Sequence, residues 1–236
     1  MILLQGSKMF DPTREYCLEK LKERGLIDDA WDAVDLLERS IAEYTGSPFA
    51  IAVDNCTDAM FLCMKYLECD KKKKHIKIPK NTYASVPMAI YNAGCQYKFA
   101  DMEWSGVYQL GDYPIYDSSL RLTKDMYIKG SYQCLSFHRR KTLKLTKGGM
   151  ILTDDEDSVE WFKTMRAKGR HPHKKVFYKD EKFELMGWNM YMHPEDAAKA
   201  YLIFEKLPEY NKDGGGDKSY SDLSLHDIFK KNQSKW

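Results

Sequence analysis

Residues 49–67 read Phe-Ala-Ile-Ala-Val-Asp-Asn-Cys-Thr-Asp-Ala-Met-Phe-Leu-Cys-Met-Lys-Tyr-Leu, and this stretch decides the fold class. Its first five residues are an unbroken apolar run, as expected for a strand buried on both faces of a parallel sheet. Asn55-Cys-Thr57 is a turn, and residues 58–67 are predicted to form a helix. A buried strand followed by a short polar turn and a helix is typical of α/β folds.

The same alternation continues on both sides of this stretch. On the N-terminal side, Val34, Leu37 and Ile41 recur every three or four positions, which predicts a helix with one buried face that ends at Gly46. Further apolar runs predict strands at residues 75–79, 96–100, 113–116, 126–128, 133–137 and 149–153. The sequence therefore predicts a three-layer α/β/α fold with a mostly parallel sheet.

We expect one large domain at residues 1–208, which begins with N-terminal helices in residues 1–46. Asp213-Gly-Gly-Gly-Asp217 predicts a flexible break in the chain. Residues 209–236 are then expected to be a flexible or short helical tail, with one weakly amphipathic segment from Leu223 to Phe229.

Composition excludes several classes of protein. With 37 basic and 35 acidic residues the net charge is +2, which does not favour a nucleic-acid binder. No apolar run approaches the roughly 18–20 residues of a membrane helix, and residues 1–7 do not resemble a signal peptide. The six cysteines form no CxxC pair and no cluster with zinc spacing, so we expect no metal site and a reducing, cytoplasmic setting.

Polar residues follow two of the predicted strands, where α/β proteins bind their ligands. The backbone N–H groups of the turn in residues 54–58, with the Thr57 hydroxyl beside them, suit a phosphate, but Thr57 also fits a plain helix N-cap. Asp117 could keep a heteroaromatic nitrogen protonated, or it could cap the following turn. Gly148 and Gly149 permit a close backbone approach.

A third strand end carries Ser136-Phe-His-Arg-Arg-Lys141. A lysine that leaves a buried strand can become a nucleophile if desolvation or neighbouring cations lower its pKa. Arg139, Arg140 and Lys144 are expected to act in that direction. The alternative is that Lys141 is a solvated surface lysine.

In their order along the chain, these segments resemble the DegT/StrS family of sugar aminotransferases, which depend on pyridoxal 5'-phosphate (PLP). Cys56-Thr-Asp-Ala59 resembles that family's Gly-Thr-Asp-Ala turn, and Pro79-Lys-Asn-Thr-Tyr-Ala-Ser85 its Pro-x-x-Thr-aromatic segment. Asp117 falls in the position of the Asp in Glu-Asp-Ala-Ala, and residues 136–141 match Ser-Phe-x-x-x-Lys. Gly187-Trp-Asn189 is similar to a later Gly-Tyr-Asn segment. The resemblance covers roughly residues 26–207, with one gap.

The resemblance implies the large domain of a fold-type-I PLP-dependent transferase, with Lys141 as the lysine that forms a Schiff base with PLP. Asp117 would pair with the pyridine nitrogen, and the aromatic ring of Tyr83 would stack on the cofactor. The phosphate-binding residues implied are Cys56 and Thr57 in the turn, Ser136, and Asn189. In the family this Asn reaches the phosphate bound in the neighbouring subunit, so a homodimer with a shared active site is implied.

The implied reaction moves an amino group from a small-molecule donor, typically glutamate, to a keto-sugar attached to a nucleotide. The chain departs from the family pattern at Cys56, Leu120 and Lys147, and its segment between Asp101 and Asp117 is short. Three hypotheses follow: a minimal PLP-dependent aminotransferase, a non-catalytic homologue that binds ligand or regulates a partner enzyme, and a structural subunit that completes a partner's site.

Overall fold

The computed structural model describes residues 14–72, 74–170, 183 and 185–233. The first 13 residues of the expected N-terminal helical region lie outside the described residues. The helices in order are α1 (Arg14–Glu23), α2 (Asp32–Thr45), α3 (Cys56–Tyr66), α4 (Ser85–Asn92), α5 (Glu156–Arg166), α6 (Pro194–Phe204) and α7 (Asp227–Asn232). The strands are β1 (Phe49–Val53), β2 (His75–Pro79), β3 (Gln96–Ala100), β4 (Tyr108–Gln109), β5 (Ile115–Asp117), β6 (Tyr132–Ser136) and β7 (Gly149–Thr153).

Five of these strands form one sheet in the order β1-β7-β6-β5-β4, and β2 pairs with β3 beside it. The α/β class is as expected, but the described strand pairing is mixed rather than mostly parallel. β5–β6 and β2–β3 are parallel pairs, whereas β1–β7, β7–β6 and β4–β5 are antiparallel pairs. Because two antiparallel pairings separate β1 from β6, the strands β1, β5 and β6 all run in one direction.

Helices cover both faces of the sheet, so three layers are present. Alternate residues of a strand point to opposite faces. Ile51 and Val53 of β1 pack in one apolar cluster with α3, α4 and α5, whereas Ala50 and Ala52 pack in the other with α1, α2 and α6. An apolar run buried on both sides is what residues 49–53 predicted.

Local sequence accounts for the boundaries of α2. Val34, Leu37 and Ile41 are fully or nearly fully buried, which confirms the predicted helix face. Gly46 ends the helix in the left-handed conformation with φ of 74°, where glycine carries no Cβ penalty.

One predicted strand is wrong. Residues 126–128 are irregular, because their backbone donors are used by other partners. The N–H of Tyr127 donates to the carbonyl of Thr45 at 2.9 Å, and the N–H of Ile128 donates to the side chain of Gln133 at 2.6 Å. The apolar composition of a segment does not by itself show which acceptors its backbone N–H groups bond to.

The C-terminal segment packs on the core as two short 3-10 turns, Asp217–Ser219 and Leu223–Leu225, followed by α7. Leu223 and Phe229 are buried in the same cluster as Tyr97 of β3, whose hydroxyl donates to the carbonyl of Phe229 at 3.1 Å. The division of the chain at residue 208 stays a prediction.

Candidate cofactor site

The candidate site lies at the edge of the sheet where β1, β5 and β6 end. Asn55 follows β1, Asp117 is the last residue of β5, and Ser136 is the last residue of β6. The antiparallel β7 begins at this same edge, and Gly148 forms an isolated bridge with Asn55. Strand direction therefore gathers chain positions that are far apart in sequence.

Gly149 holds the turn after β1 against β7. A Cβ atom at this position would lie 2.5 Å from the carbonyl carbon of Asn55 and 2.7 Å from the backbone nitrogen of Cys56. These distances are too short for any side chain, so the predicted close backbone approach is confirmed. Ser136 pairs with Gly149 across β6 and β7, which brings the serine next to the same turn.

The N-cap of α3 is Asn55 and not Thr57. The side chain of Asn55 accepts a hydrogen bond from the N–H of Asp58 at 2.9 Å, as an N-cap does. Thr57 lies in the first helical turn, and its hydroxyl donates to the hydroxyl of Ser85 at 2.8 Å. The interpretation of Thr57 as the cap is thus wrong. The Thr57 hydroxyl, hydrogen-bonded to Ser85, instead lies at the N-terminal, positive end of the α3 dipole.

Asp117 is 3% exposed and its carboxylate is held from two sides. The hydroxyl of Tyr108 donates to Oδ2 at 2.9 Å, and the N–H of Ser119 donates to Oδ1 at 2.9 Å. The Ser119 bond means that Asp117 does cap its following turn, as one of its two interpretations predicted. Each carboxylate oxygen has a second lone pair, so the carboxylate can still accept a hydrogen bond.

The side chain of Lys141 is half-buried and lies within electrostatic reach of Asp117 and Cys56. Burial lowers the pKa of the Lys141 ammonium, and the nearby Asp117 and Cys56 side chains oppose that shift. The prediction that Arg139, Arg140 and Lys144 lower this pKa is not supported. Arg139 and Arg140 are exposed. They act instead on His138, whose pKa is lowered by burial and by the nearby charges of Arg139, Lys141 and Arg140.

Cys56 occupies the first position of α3, with its thiol turned inward. Its Sγ donates to the carbonyl of Cys134 at 3.3 Å and lies 4.0 Å from Oδ1 of Asp117. Burial raises the pKa of this thiol well above its ordinary value, and the carboxylate of Asp117 adds to the shift. The side chain of Cys56 is therefore a buried, neutral thiol next to Asp117.

Two other predicted residues are less enclosed. The Tyr83 ring is 60% exposed and its centroid is 6.2 Å from that of Tyr220. Asn189 is exposed, and its backbone forms an isolated bridge with Ala167. The structure thus brings together Cys56, Thr57, Asp117, Ser136 and Lys141, has Tyr83 at the margin, and leaves Asn189 facing solvent.

Sequence reasoning missed the residues that support this group. Thr82 and Tyr108 are 2% and 5% exposed and share a hydrogen bond of 2.6 Å between their hydroxyls. Thr82 and Ser85 lie in residues 79–85, the same segment as Tyr83, so the hydroxyl groups on either side of Tyr83 are a signal by which sequence reasoning could find them. No sequence pattern points to Tyr108, because β4 is only two residues long and is too short to show a strand periodicity.

Within the described ranges, no group of three His, Cys, Asp or Glu side chains is placed to hold a metal ion. No helix of the described chain has both the length and the apolar character to cross a membrane.

The mixed sheet, the two helical layers and the site at the strand ends define the fold of the fold-type-I PLP-dependent transferases. The model of the DegT/DnrJ/EryC1/StrS aminotransferase family matches residues 12–108 and 125–215. These two ranges make up more than half of the chain, so the protein belongs to this family.

Solved structures with the same fold include aminotransferases. AtS13 from Actinomadura melliaura is 14% identical with a TM-score of 0.66, over 83% of this chain and 65% of its own. The Helicobacter pylori aminotransferase PseC, involved in pseudoaminic acid biosynthesis, is 16% identical with a TM-score of 0.64. The match covers 85% of this chain and 63% of PseC. For 3-amino-5-hydroxybenzoic acid synthase, the identity is 19% and the TM-score is 0.63. The match covers 85% of this chain and 62% of the synthase. This chain therefore spans less than two thirds of each. No curated protein sequence matches it.

Proposed function

We propose that this chain binds PLP through Lys141 and transfers an amino group from a small-molecule donor to a keto-sugar linked to a nucleotide. One observation carries the proposal: Lys141, half-buried with a lowered pKa, lies within electrostatic reach of the buried carboxylate of Asp117. An amine of lowered pKa beside a fixed acid is the pair that PLP chemistry needs. Family membership supports the same cofactor.

The donor groups fit the two ends of PLP. Thr57, Ser136 and the free N–H groups of the first turn of α3 would hold the phosphate, because a helix N-terminus favours an anion. Asp117 would accept a hydrogen bond from the protonated ring nitrogen, and Tyr83 would cover a ring face. The inward position of the Cys56 thiol leaves its backbone N–H on the turn, so a cysteine here is compatible with a phosphate.

When bound, PLP supplies an aldehyde that captures the amino group and a ring that takes up electrons. The protein does the remaining work. Burial lowers the pKa of Lys141 and so favours its neutral form, in which Nζ can act as a nucleophile and afterwards take or return a proton. The hydrogen bonds from the Tyr108 hydroxyl and the Ser119 N–H hold the Asp117 carboxylate in a fixed orientation.

Asn189 fits a shared site between two copies of the chain. Its side chain is exposed, although the segment around it is fixed to β1 by a hydrogen bond of 2.8 Å from the Asp54 N–H to the Met190 carbonyl. An amide that is rigidly placed yet turned to solvent can serve a partner subunit. We therefore propose a homodimer in which Asn189 reaches the phosphate in the other copy.

The test is to mix the purified protein with PLP, record the visible spectrum, reduce with borohydride and map the labelled lysine by mass spectrometry. We expect a new absorbance band and a label on Lys141. Lys141→Ala should lose both, whereas Lys144→Ala, which removes an exposed lysine from the same loop, should keep both.

Absence of a band at saturating PLP would contradict the proposal for the isolated chain. A label on Lys141 without loss of the band on addition of glutamate would support the alternative, a degenerate homologue that binds ligand or a partner subunit without catalysis. Loss of the band with glutamate and its return with a keto acid would support amino transfer. A panel of nucleotide-linked keto-sugars then tests the acceptor.

A further inference from the structure

Near the end of the family match, which stops at residue 215, the chain returns to the candidate site. The C-terminal strap, defined here as residues 213–223, passes beside Trp104 and carries Tyr220. The Tyr220 ring is stacked on Trp104 with centroids 5.9 Å apart and planes 19° from parallel. Trp104 in turn packs on Tyr108, the donor to Asp117, at 4.7 Å. A continuous aromatic path therefore leads from the strap to the Asp117 carboxylate.

The strap is fixed at its start by a charged pair. The guanidinium of Arg121 donates to both carboxylate oxygens of Asp213, at 2.8 and 2.7 Å, and the hydroxyl of Ser105 donates to the same carboxylate. Bidentate pairs of this kind fix orientation as well as position. The Asp213 pair thus determines where the strap leaves the core.

Backbone contacts hold the rest of the strap. The N–H of Asp217 donates to the Trp104 carbonyl at 3.1 Å, and a Cβ atom on Gly216 would lie 2.1 Å from that same carbonyl oxygen. At the far end, Asp222 bridges to Asn81 and the N–H of Leu223 donates to the carbonyl of Lys80 at 2.9 Å. Gly216 therefore serves a close approach of two backbone segments and is not only part of a flexible break.

Tyr220 faces the site from this fixed segment. Burial raises its pKa to about 12, and the nearby Asp117, Cys56 and Tyr83 add to the shift. The amide of Asn81 donates to the Tyr220 carbonyl at 3.0 Å, which limits the backbone freedom of this residue. The Tyr83 ring lies 6.2 Å from the Tyr220 ring, and Asp117 and Cys56 lie within electrostatic reach of Tyr220.

We propose that Tyr220 is a further residue of the cofactor site and that the strap which carries it is the cover of that site. The cover excludes water from Asp117 and Lys141, which strengthens their electrostatic interaction. The proposal rests on the proposed function for the identity of the ligand. The enclosure of Lys141 by the strap is a separate claim, and it can be tested without PLP.

The test measures access to Lys141 in the ligand-free protein. The rate at which an acetylating reagent modifies Lys141 is followed by peptide mass spectrometry across a range of pH, with the exposed Lys22 of α1 as internal reference. The limiting rate at high pH reports access, and the midpoint reports the pKa of the amine. For Tyr220→Ala we expect a limiting rate at least about threefold higher and a midpoint closer to that of an ordinary lysine, because enclosure is lost.

Two further variants separate enclosure from loss of folding. Asp213→Asn keeps the Tyr220 ring but cuts the strap anchor, so it should also raise the limiting rate. Tyr210→Ala removes a tail tyrosine that is 77% exposed and should change nothing. A limiting rate that stays unchanged in Asp213→Asn and in a folded Tyr220→Ala overturns the proposal. If circular dichroism shows that Tyr220→Ala is unfolded, Asp213→Asn alone decides.

A second measurement separates this inference from the proposed function. PLP is loaded, and its release by hydroxylamine is timed by absorbance. A cover predicts faster release from Tyr220→Ala, whereas tighter PLP binding by this variant would make Tyr220 a competitor for the ring position and overturn the cover. If no variant binds PLP, the proposed function fails while the acetylation result still decides whether the strap encloses Lys141.

Discussion

Tyr108 and Asp117 are directly opposite each other on the antiparallel strands β4 and β5, and the tyrosine hydroxyl donates to the carboxylate at 2.9 Å. Both side chains are buried, and Thr82 completes a chain of three hydroxyl and carboxyl groups. A carboxylate orients a ligand well only if it is itself held. The short strand β4 therefore matters for the site more than its length suggests.

Removing this donor should weaken PLP binding without abolishing it. For Tyr108→Phe we expect affinity to fall by up to about tenfold, since a hydrogen bond to a charged group contributes about 1.5–3 kcal/mol and only part of that bears on the ligand. Equilibrium titration of the absorbance band measures the effect. Tyr91→Phe, on a residue that is 59% exposed, is the control, and equal affinities of all three proteins would contradict a positioning role.

Replacing Asp117 should shift the titration of Lys141. The Asp117 carboxylate raises the pKa of the Lys141 amine against the larger effect of burial. Asp117→Asn removes the charge that stabilises the ammonium, so the midpoint of the acetylation profile should move to lower pH. Asp112→Asn, at an exposed turn, should leave the midpoint in place. An unchanged midpoint in Asp117→Asn would mean that the two groups do not interact.

All six cysteines are free and buried, and their thiols should be unreactive in the folded protein. Burial raises the pKa of Cys69 to about 12 and that of Cys95 to about 11, so almost none of either is thiolate at neutral pH. We expect less than one thiol to react with Ellman's reagent at pH 8 before denaturation. Rapid reaction of one or more thiols in the native protein would show that this packing opens readily.

Gly149→Ala should destabilise the protein, because the added methyl group meets the backbone of Asn55 and Cys56. Overpacking costs about 1–3 kcal/mol or more, which lowers the melting temperature by roughly 3–10 °C in a domain of this size. Gly214→Ala is the matched control, since its Cβ would lie 3.6 Å from the nearest atoms of Leu120. Equal melting temperatures for the two variants would contradict the close approach.

Much of the site was predictable, since Asp117, Ser136 and Lys141 each follow or end a recognisable strand. These residues meet at one edge because β1, β5 and β6 run in the same direction. The alternation of strands and helices in the sequence predicts such parallel strands, but it does not predict that β7 runs antiparallel to them. The source of the Lys141 pKa shift could not be predicted, because burial depends on atoms from elements distant in sequence. The cap of α3 was assigned wrongly because Asn55 and Thr57 are both good caps and only backbone geometry separates them.

Local patterns in the sequence were sufficient for the α/β class, the order of most strands and helices, and the candidate site residues, because apolar periodicity and polar strand ends are local properties. The folded structure was needed to find that Tyr108 donates to Asp117, that burial and not neighbouring cations lowers the pKa of Lys141, and that Tyr220 lies close to the candidate site. These relationships join residues that can be more than a hundred positions apart in the sequence. They depend on how strands pair and helices pack, and no local pattern encodes that.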